Sequence, residues 1–265
     1  RKRTGWCRET HSSVGSKFFV RCGNPVSFDL EGQRFVITGA GRGIGKAIGK
    51  RFTELGARVS GWDLNLVDIA SDPDFEHSVQ VDVTDEASVA KGIEASLGAL
   101  GGLEGLIASA GINGPTKPTW EYSLSDWQQV LDVDLTGVFL SVRSVLPHLR
   151  STGYGRVVII ASVAAKDGNP GAVAYGAAKA GVVGFAKGVA RELQPSQITV
   201  NCITPAITET DLLNGMSKDY IKEKKALIPM GRFCSVQEIA DMTAWVASPR
   251  CSFTTGQLFD VTGGR

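Results

Sequence analysis

Three side chains in the middle of the chain have the types and spacing of a proton-transfer site. Tyr175 and Lys179 stand four residues apart in the run Y-G-A-A-K, and Ser162 lies thirteen residues before the tyrosine. On a helix, residues four apart share a face, so the phenol and the ammonium can point into one site. An ammonium beside a phenol favours the phenolate. A tyrosine placed so can exchange a proton with an alcohol or a ketone near neutral pH. Ser162 follows an apolar strand-like run, Arg156 to Ala161, and can hydrogen-bond the same substrate oxygen. Taken alone, Y-x-x-x-K also describes a buried tyrosine beside a surface lysine. The surrounding elements decide between these readings.

From Gln33 onward, short β-rich runs alternate with helix-length segments. Strands are expected over Arg34–Thr38, Arg58–Trp62, His77–Val81, Gly105–Ser109, Arg156–Ala161, Ile198–Ile203 and Leu258–Val261. Helical spacing covers Lys46–Leu55, which Gly56 terminates, then Glu86–Leu100, Ala172–Leu193 and Val236–Ala247. A further long helix is expected to open at Ser125, with Asp126 in its first turn, and to run towards Leu149. Strands separated by helices imply βαβ units and a parallel sheet. Apolar strands imply a sheet buried on both faces. The expected fold is therefore α/β, one doubly wound domain over residues 30–265. Residues 208–229 break the alternation. They are polar and rich in lysine, with Lys218, Lys222, Lys224 and Lys225, and lie beyond a strand's C-terminal end. A substrate lid over about 207–230 is expected there, with a solvated helical insert as the other reading.

The run T-G-A-G-R-G-I-G, Thr38 to Gly45, follows the first strand and opens the first helix. That setting is what a dinucleotide-binding glycine turn requires. Gly39 permits the tight turn, Gly43 lets the backbone approach a pyrophosphate, and Gly45 lets helix and strand pack closely. The helix N-terminus supplies N–H groups and a positive dipole for the anion. Asp63 closes the second strand, where a carboxylate accepts from ribose hydroxyls and repels a 2′-phosphate. This favours NAD over NADP, although Arg42 in the loop can pair with a phosphate. Asp82, with Val83 after the third strand, can accept from an adenine amino group or serve as a turn aspartate.

The 265 residues suffice for a sizeable core, and a hydrophobic share of 43% with 21% charged residues is ordinary for a globular domain. A net charge of +1 gives no field that points to nucleic acid or an anionic membrane. No apolar run approaches the roughly 20 residues that span a bilayer. The five cysteines are scattered, with no C-x-x-C and no Cys/His cluster, so neither a metal nor a disulfide framework is expected. A reducing, cytoplasmic compartment fits this usage. Residues 1–29 differ from the rest. Arg1, Lys2, Arg3, Arg8, Lys17 and Arg21 face one acid, Glu9, before residue 25. The segment reads as a disordered basic extension more than a targeting segment, and it lacks the continuous apolar core of a secretory signal.

Together these residues resemble the short-chain dehydrogenase/reductase family in its form of about 250 residues. The resemblance covers 30–265. It rests on the glycine turn Thr38–Gly45, on Ser162, Tyr175 and Lys179 at the family spacing, and on Asn201–Ala206 in strand six. Thr210 and the ending Thr255–Gly264 complete it. It implies a Rossmann-type sheet with helices on both faces and NAD as cofactor. It also implies cofactor contacts from Gly39, Arg42, Gly43, Ile44, Gly45, Asp63, Asp82, Val83, Ser109, Ala110, Gly111, Tyr175, Lys179, Pro205, Ala206, Thr208 and Thr210. Tyr175 would be the general acid or base. Lys179 would hold the nicotinamide ribose, and Ser162 would orient the substrate oxygen. Hydride would pass between nicotinamide C4 and the carbinol carbon.

Three positions depart from the family. Its N-N-A-G is Ala108-Ser109-Ala110-Gly111, and its P-G is Pro205-Ala206. Asp134 stands in V-D-L-T-G where the family's catalytic group has an asparagine that holds a helix kink and a water. An ionised aspartate there would stabilise the ammonium and oppose a tyrosinate by about 1–3 kcal/mol at an effective dielectric near 20.

Residues Ala110–Tyr122, Gly168–Pro170 and the C-terminal run look like a bacterial subgroup containing dehydrogenases of sugar-derived acids such as 2-keto-3-deoxy acids. Lys166, Asp167 and Asn169 can grip a polar substrate or form a solvated loop. Arg265 can reach a carboxylate, in this subunit or a neighbour. Trp120, Tyr122 and Trp127 read as packing residues. The expected activity is NAD-dependent oxidation or reduction of a small polar hydroxy compound, with 3-oxoacyl-thioester reduction as the variant. A nucleotide-binding scaffold or sensor without turnover is the reading from another class. The apolar faces within Val130–Leu146 and Ala178–Val189 suit a homodimer or homotetramer, as the family usually forms.

Overall fold

The computed structural model describes residues 30–209 and 218–265, with the backbone alone for 218–220. The basic extension 1–29 and Thr210 lie outside the described residues. Seven strands form one sheet: β1 Arg34–Thr38, β2 Arg58–Asp63, β3 His77–Gln80, β4 Gly105–Ala108, β5 Tyr154–Ile160, β6 Gln197–Pro205 and, numbered in chain order, β9 Leu258–Val261. Their order is β3-β2-β1-β4-β5-β6-β9, and every pairing is parallel. The chain works outward from β1 to one edge, then returns to build the other half from β4. The switch point therefore lies between β1 and β4.

The strand side chains explain why both faces need cover. Phe35 and Ile37 point to one core with Ile107, Val158, Ile160 and Ile203, while Val36 points to the other with Leu106, Val157, Ile159 and Val200. This alternation feeds two apolar layers, and all these residues are at most 5% exposed. Each such side chain contributes about 1.5–3 kcal/mol when fully buried. Helices α1 (Gly43–Glu54) and α8 (Val236–Ala247) cover the first layer. The second lies under α2 (Glu86–Leu100), α4 (Gly137–Thr152) and α6 (Val173–Glu192). Remaining elements are α3 (Leu124–Leu131), α5 (Ala164–Asp167), α7 (Lys218–Ala226) and a two-residue ladder between β7 (Thr208–Glu209) and β8 (Cys234–Ser235).

The single helix expected from Ser125 to Leu149 is instead three pieces. Ser123 caps α3, its hydroxyl accepting from the Asp126 amide at 3.0 Å. A π-helical turn, Asp132–Thr136, follows, and α4 then runs to Thr152, where Gly153 closes it at φ 74°. A π-turn inserts an extra residue and rotates the side chains that follow it. Here it leaves Asp134 wholly buried. The strand and helix ends otherwise move by a few residues. The first helix begins at Gly43, three residues before its expected start, because the glycine turn runs directly into it. Part of the expected lid is the helix α7.

Helix α8 begins with a reciprocal cap. The Ser235 hydroxyl accepts from the Glu238 amide at 3.2 Å, and Glu238 accepts from the Ser235 amide at 2.9 Å. Arg232 grips the same carboxylate at 2.6 Å and, with the Ser235 amide, holds it well below the usual carboxylate range. Replacing Ser235 by Ala removes the cap and is expected to lower stability by about 1 kcal/mol, read from a urea midpoint. An unchanged midpoint contradicts this role.

Candidate active site

A parallel sheet ends all its strands on one edge, so the residues after β1, β2, β4, β5 and β6 converge there without being close in sequence. The glycine turn comes first. Gly39 has φ +66°, and a Cβ on it would lie 2.8 Å from the Ala110 backbone. A Cβ on Gly45 would lie 2.1 Å from the Gly39 carbonyl oxygen. The turn, the strand β4 end and the start of α1 therefore touch backbone to backbone. Gly43 opens α1 at φ +55°. Arg42 is the extended N-cap and makes no cap bond, and α1 has no acid in its first turn. Its leading amides, Gly43 to Gly45, are not committed to helix bonds. Ile44 packs on the α1 core layer. This cradle fits a pyrophosphate.

Asp63 is fixed at the lip of the turn. Its Oδ2 accepts from the Gly41 amide at 2.8 Å and its Oδ1 from the Asn65 amide at 3.0 Å. A second carboxylate, Asp68, lies on the same spot: a Cβ on Gly41 would be 2.9 Å from the Asp68 Cβ. Nothing in the spacing pointed to Asp68. It is brought in by the short turn Leu66–Asp68, which Asn65 caps. Asp82 is a turn aspartate here, its Oδ1 accepting from the Thr84 amide at 2.9 Å and the Thr84 hydroxyl at 2.7 Å. Val83 packs against Gly137, where an added Cβ would lie 2.8 Å from it.

At the end of β4, the Thr38 hydroxyl accepts from the amides of Ser109 and Ala110, both at 3.0 Å. Thr38 thus stitches the glycine strand to its neighbour, a role missed in the sequence because it spans 71 residues. Ala108 is core. Gly111 lies over the buried acid: a Cβ there would be 3.1 Å from Asp134 Oδ2 and 3.3 Å from Lys179 Nζ.

The three chemical side chains come from β5 and α6. Ser162 is 9% exposed, and its Oγ accepts from the Ala164 amide at 3.1 Å, leaving the hydroxyl hydrogen for another acceptor. Lys179 reaches in from α6. Its Nζ donates to the Ile160 carbonyl at 3.1 Å, lies 3.2 Å from Asp134 Oδ2, and sits 5.6 Å from the Tyr175 ring centre. Burial alone would lower the Lys179 pKa, but the charges of Asp134 and Tyr175 outweigh it and raise it. The charged form of Lys179 is thus favoured although its side chain is buried. Asp134 also ties down the β4 loop, its Oδ1 accepting from the Ile112 amide at 2.7 Å. Asp134 and Lys179 are thus in direct contact, as the expected stabilisation of the ammonium requires.

After β6, the Pro205 carbonyl accepts from the Val163 amide and the Ala206 amide donates to Val261, both at 3.0 Å. Thr208 donates to the Ala206 carbonyl at 3.0 Å. The loop between β5 and α6 is pinned to the chain's end. Lys166 binds Asp260 at 2.6 Å, and Arg265 binds Asp167 at 3.2 Å. Both Lys166 and Asp167 are therefore engaged within the chain, and Arg265 meets a carboxylate of its own subunit. Asp260 also accepts from Thr204. Tyr122 and Trp127 pack beside α6, whereas Trp120, expected to pack, is 85% exposed. Among the described residues, no group of three His, Cys, Asp or Glu side chains is gathered to hold a metal. No described helix is long and apolar enough to cross a membrane.

An open sheet with a glycine cradle at its switch point and a Ser–Tyr–Lys group at the same edge defines a class of nucleotide-dependent oxidoreductases. The chain belongs to the short-chain dehydrogenase/reductase family: the profile described as "Enoyl-(Acyl carrier protein) reductase" matches residues 39–265. It is 42% identical over 237 residues to a 2-dehydro-3-deoxy-L-rhamnonate dehydrogenase (NAD(+)) from Sphingomonas sp. (strain SKA58), covering 88% of this chain and 95% of that protein. It is 35% identical to a 3-oxoacyl-[acyl-carrier-protein] reductase from Aquifex aeolicus (strain VF5), covering 90% of this chain and 99% of the relative. Among solved structures, it is similar to a 3-ketoacyl-(acyl-carrier-protein) reductase from Brucella melitensis complexed with NADH. The TM-score is 0.85 at 31% identity, over 89% of this chain and 99% of the other.

The glycine geometry gives a paired prediction. Gly45→Ala is expected to cost about 1–3 kcal/mol through overpacking and to weaken dinucleotide binding. Gly98→Ala, in exposed helix with nothing within 4 Å of the new methyl, is expected to gain about 0.5–1 kcal/mol. Thermal denaturation and fluorescence titration with NADH check both. Equal behaviour of the two variants contradicts the close packing.

Proposed function

We propose that this protein is an NAD-dependent oxidoreductase that interconverts a secondary alcohol and a ketone. The proposed substrate is a small polar hydroxy compound such as a sugar-derived acid. The observation that carries this is the buried Lys179 ammonium beneath the Tyr175 ring, one helix turn from it and at the strand end that bears Ser162. The glycine cradle would hold the pyrophosphate, and Asp63, with Asp68 beside it, would receive the adenosine ribose and repel a 2′-phosphate. Ser109, Ala110, Gly111, Pro205, Ala206 and Thr208 would border the nicotinamide half. The bound cofactor supplies the hydride acceptor or donor.

The chain's own residues do the rest. Ser162 donates its free hydrogen to the substrate oxygen and orients it. Tyr175 takes the hydroxyl proton during oxidation and returns it during reduction. Lys179 favours the phenolate during that exchange by its charge. The relative named for 2-dehydro-3-deoxy-L-rhamnonate and NAD(+) supports this substrate class and cofactor. The relatives named 3-oxoacyl-[acyl-carrier-protein] reductase support acyl-thioester reduction as the second reading. We further propose that residues 30–265 act as one catalytic domain with a lid over about 207–230, and that residues 1–29 are an accessory extension. We also propose that the protein works in the cytoplasm as a homotetramer or homodimer formed through α4 and α6. Their outer faces carry Phe139, 40% exposed, edge-on to Phe185 at 6.1 Å.

Absorbance assays with NAD and NADP on sugar acids, polyols, 3-hydroxyacyl thioesters and simple secondary alcohols test the reading. Turnover of a sugar acid with NAD, at least tenfold faster than with NADP, is expected. Turnover of thioesters alone moves the assignment to the second reading. Tyr175→Phe is expected to lose at least a hundredfold in kcat, the range of one acid–base group, while still binding NADH. Retained turnover contradicts the role of Tyr175.

A further inference from the structure

Two opposed charges stand at the adenosine end of the glycine turn: Asp63, which would repel a 2′-phosphate, and Arg42, which can pair with one. The fold adds a third. Asp68 is carried back to the turn by the short helical piece Leu66–Asp68. Residue 41 shows the arrangement. A Cβ there would lie 2.9 Å from the Asp68 Cβ and 3.0 Å from Asp63 Oδ2. Both aspartates therefore crowd one backbone position. Asn65 clamps them together: its backbone amide donates to Asp63 Oδ1 and its side-chain amide to Asp68 Oδ2, each at 3.0 Å.

The two carboxylates are not equivalent. Asp63 is half-buried, and each of its oxygens already accepts a backbone amide, Oδ2 from Gly41 and Oδ1 from Asn65. It builds the turn, so a change there leaves a turn amide short of its acceptor for any dinucleotide. Asp68 is exposed. Among the described residues its carboxylate accepts only from the Asn65 side chain, through Oδ2, which leaves Oδ1 uncommitted. Its charge reaches the first turn of α1. The Lys46 pKa is raised by the hydrogen bond and charge of Asp72, with smaller pulls from Asp74 and Asp68. Lys46 is taken up by Asp72 at 2.9 Å, whereas Arg42 is exposed at the N-cap of α1 and makes no cap bond.

We propose that Asp68 is a specificity-determining residue for the cofactor, its charge tipping the balance between Asp63 and Arg42 and so excluding the 2′-phosphate of NADP. The proposal rests on the reading of the glycine turn as the dinucleotide site. A phosphate monoester carries about −1.5 to −2 charge near neutral pH. With Asp63 alone, one anion stands against one cation, and the two pulls nearly cancel. With Asp68 added, the 2′ position meets two anions and one cation, and like charges brought together this way discriminate strongly. Asp63 thus shapes the turn and receives the ribose, and Asp68 decides whether the 2′ group can be phosphorylated.

Fluorescence titrations with NADH and with NADPH test this, read as the ratio of the NADPH Kd to the NADH Kd. In the wild type the ratio is expected to be well above one. In Asp68→Asn, whose side-chain oxygen can still accept from Asn65, it is expected to fall about tenfold. In Asp68→Glu, which keeps the charge, it is expected to stay close to that of the wild type. An unchanged ratio in Asp68→Asn overturns the proposal, as does an equal fall in Asp68→Glu or a wild-type ratio of one or less. NADH binding by the wild type separates this result from the reading beneath it. If the wild type binds NADH and Asp68→Asn leaves the ratio unchanged, the proposal alone falls. If the wild type binds neither dinucleotide, the reading of the glycine turn falls and the proposal with it.

Discussion

A positive charge sealed from water is the constraint around which the site is organised. Lys179 is 4% exposed, and a lone buried ammonium would shed its proton or open the structure. The surrounding elements each provide something to hold it: the Ile160 carbonyl at the end of β5, the Asp134 carboxylate from the π-turn and the Tyr175 ring one turn away on α6. The loop after β4 closes over the pair, held by the Ile112 amide on Asp134 and by the lack of a side chain at Gly111. Four separate stretches of chain thus meet on one nitrogen.

That meeting is possible because the sheet is parallel throughout. Each strand delivers its C-terminal residue to the same edge, and the two apolar layers fix the strands in register. The Thr38 hydroxyl then locks β1, which leads into the glycine turn, to the loop after β4. The far rim is built differently. There the loop after β5 is tied to the end of the chain by exposed ion pairs, Lys166–Asp260 and Asp167–Arg265. Pairs of this kind contribute about 0–1 kcal/mol each, and the backbone bond from the Ala206 amide to Val261 adds to them.

Much of this was legible in the sequence, for reasons that differ by residue. Tyr175 and Lys179 are linked by helical spacing, and Gly39, Gly43 and Gly45 by a turn of fixed length, so covalent distance alone reports them. Asp63 could be placed because it ends a strand. Strand and helix order followed from alternating composition. What escaped depended on tertiary contact. The π-turn at Asp132–Thr136 is not encoded by any breaker residue within it, so the sequence pattern runs through it as one helix, and the direct Asp134–Lys179 contact emerges only from the fold. Thr38, Asp68 and Asp260 act on partners that are distant in sequence or reached through an irregular turn. The pairing of Lys166 and Asp167 with the chain's end was hidden for the same reason. Residues 1–29 and Thr210, with the rest of 210–217, lie outside the described residues.

The proposed dinucleotide site and the proposed proton-transfer group lie at one strand edge. A crystal structure of the protein with NADH tests this most directly. The expected complex has the pyrophosphate at the start of α1, the adenosine ribose on Asp63, and the nicotinamide ribose within hydrogen-bond reach of Lys179, with the ring beside the Tyr175 hydroxyl. A dinucleotide bound away from the glycine turn, or with its nicotinamide turned from Tyr175, would contradict it.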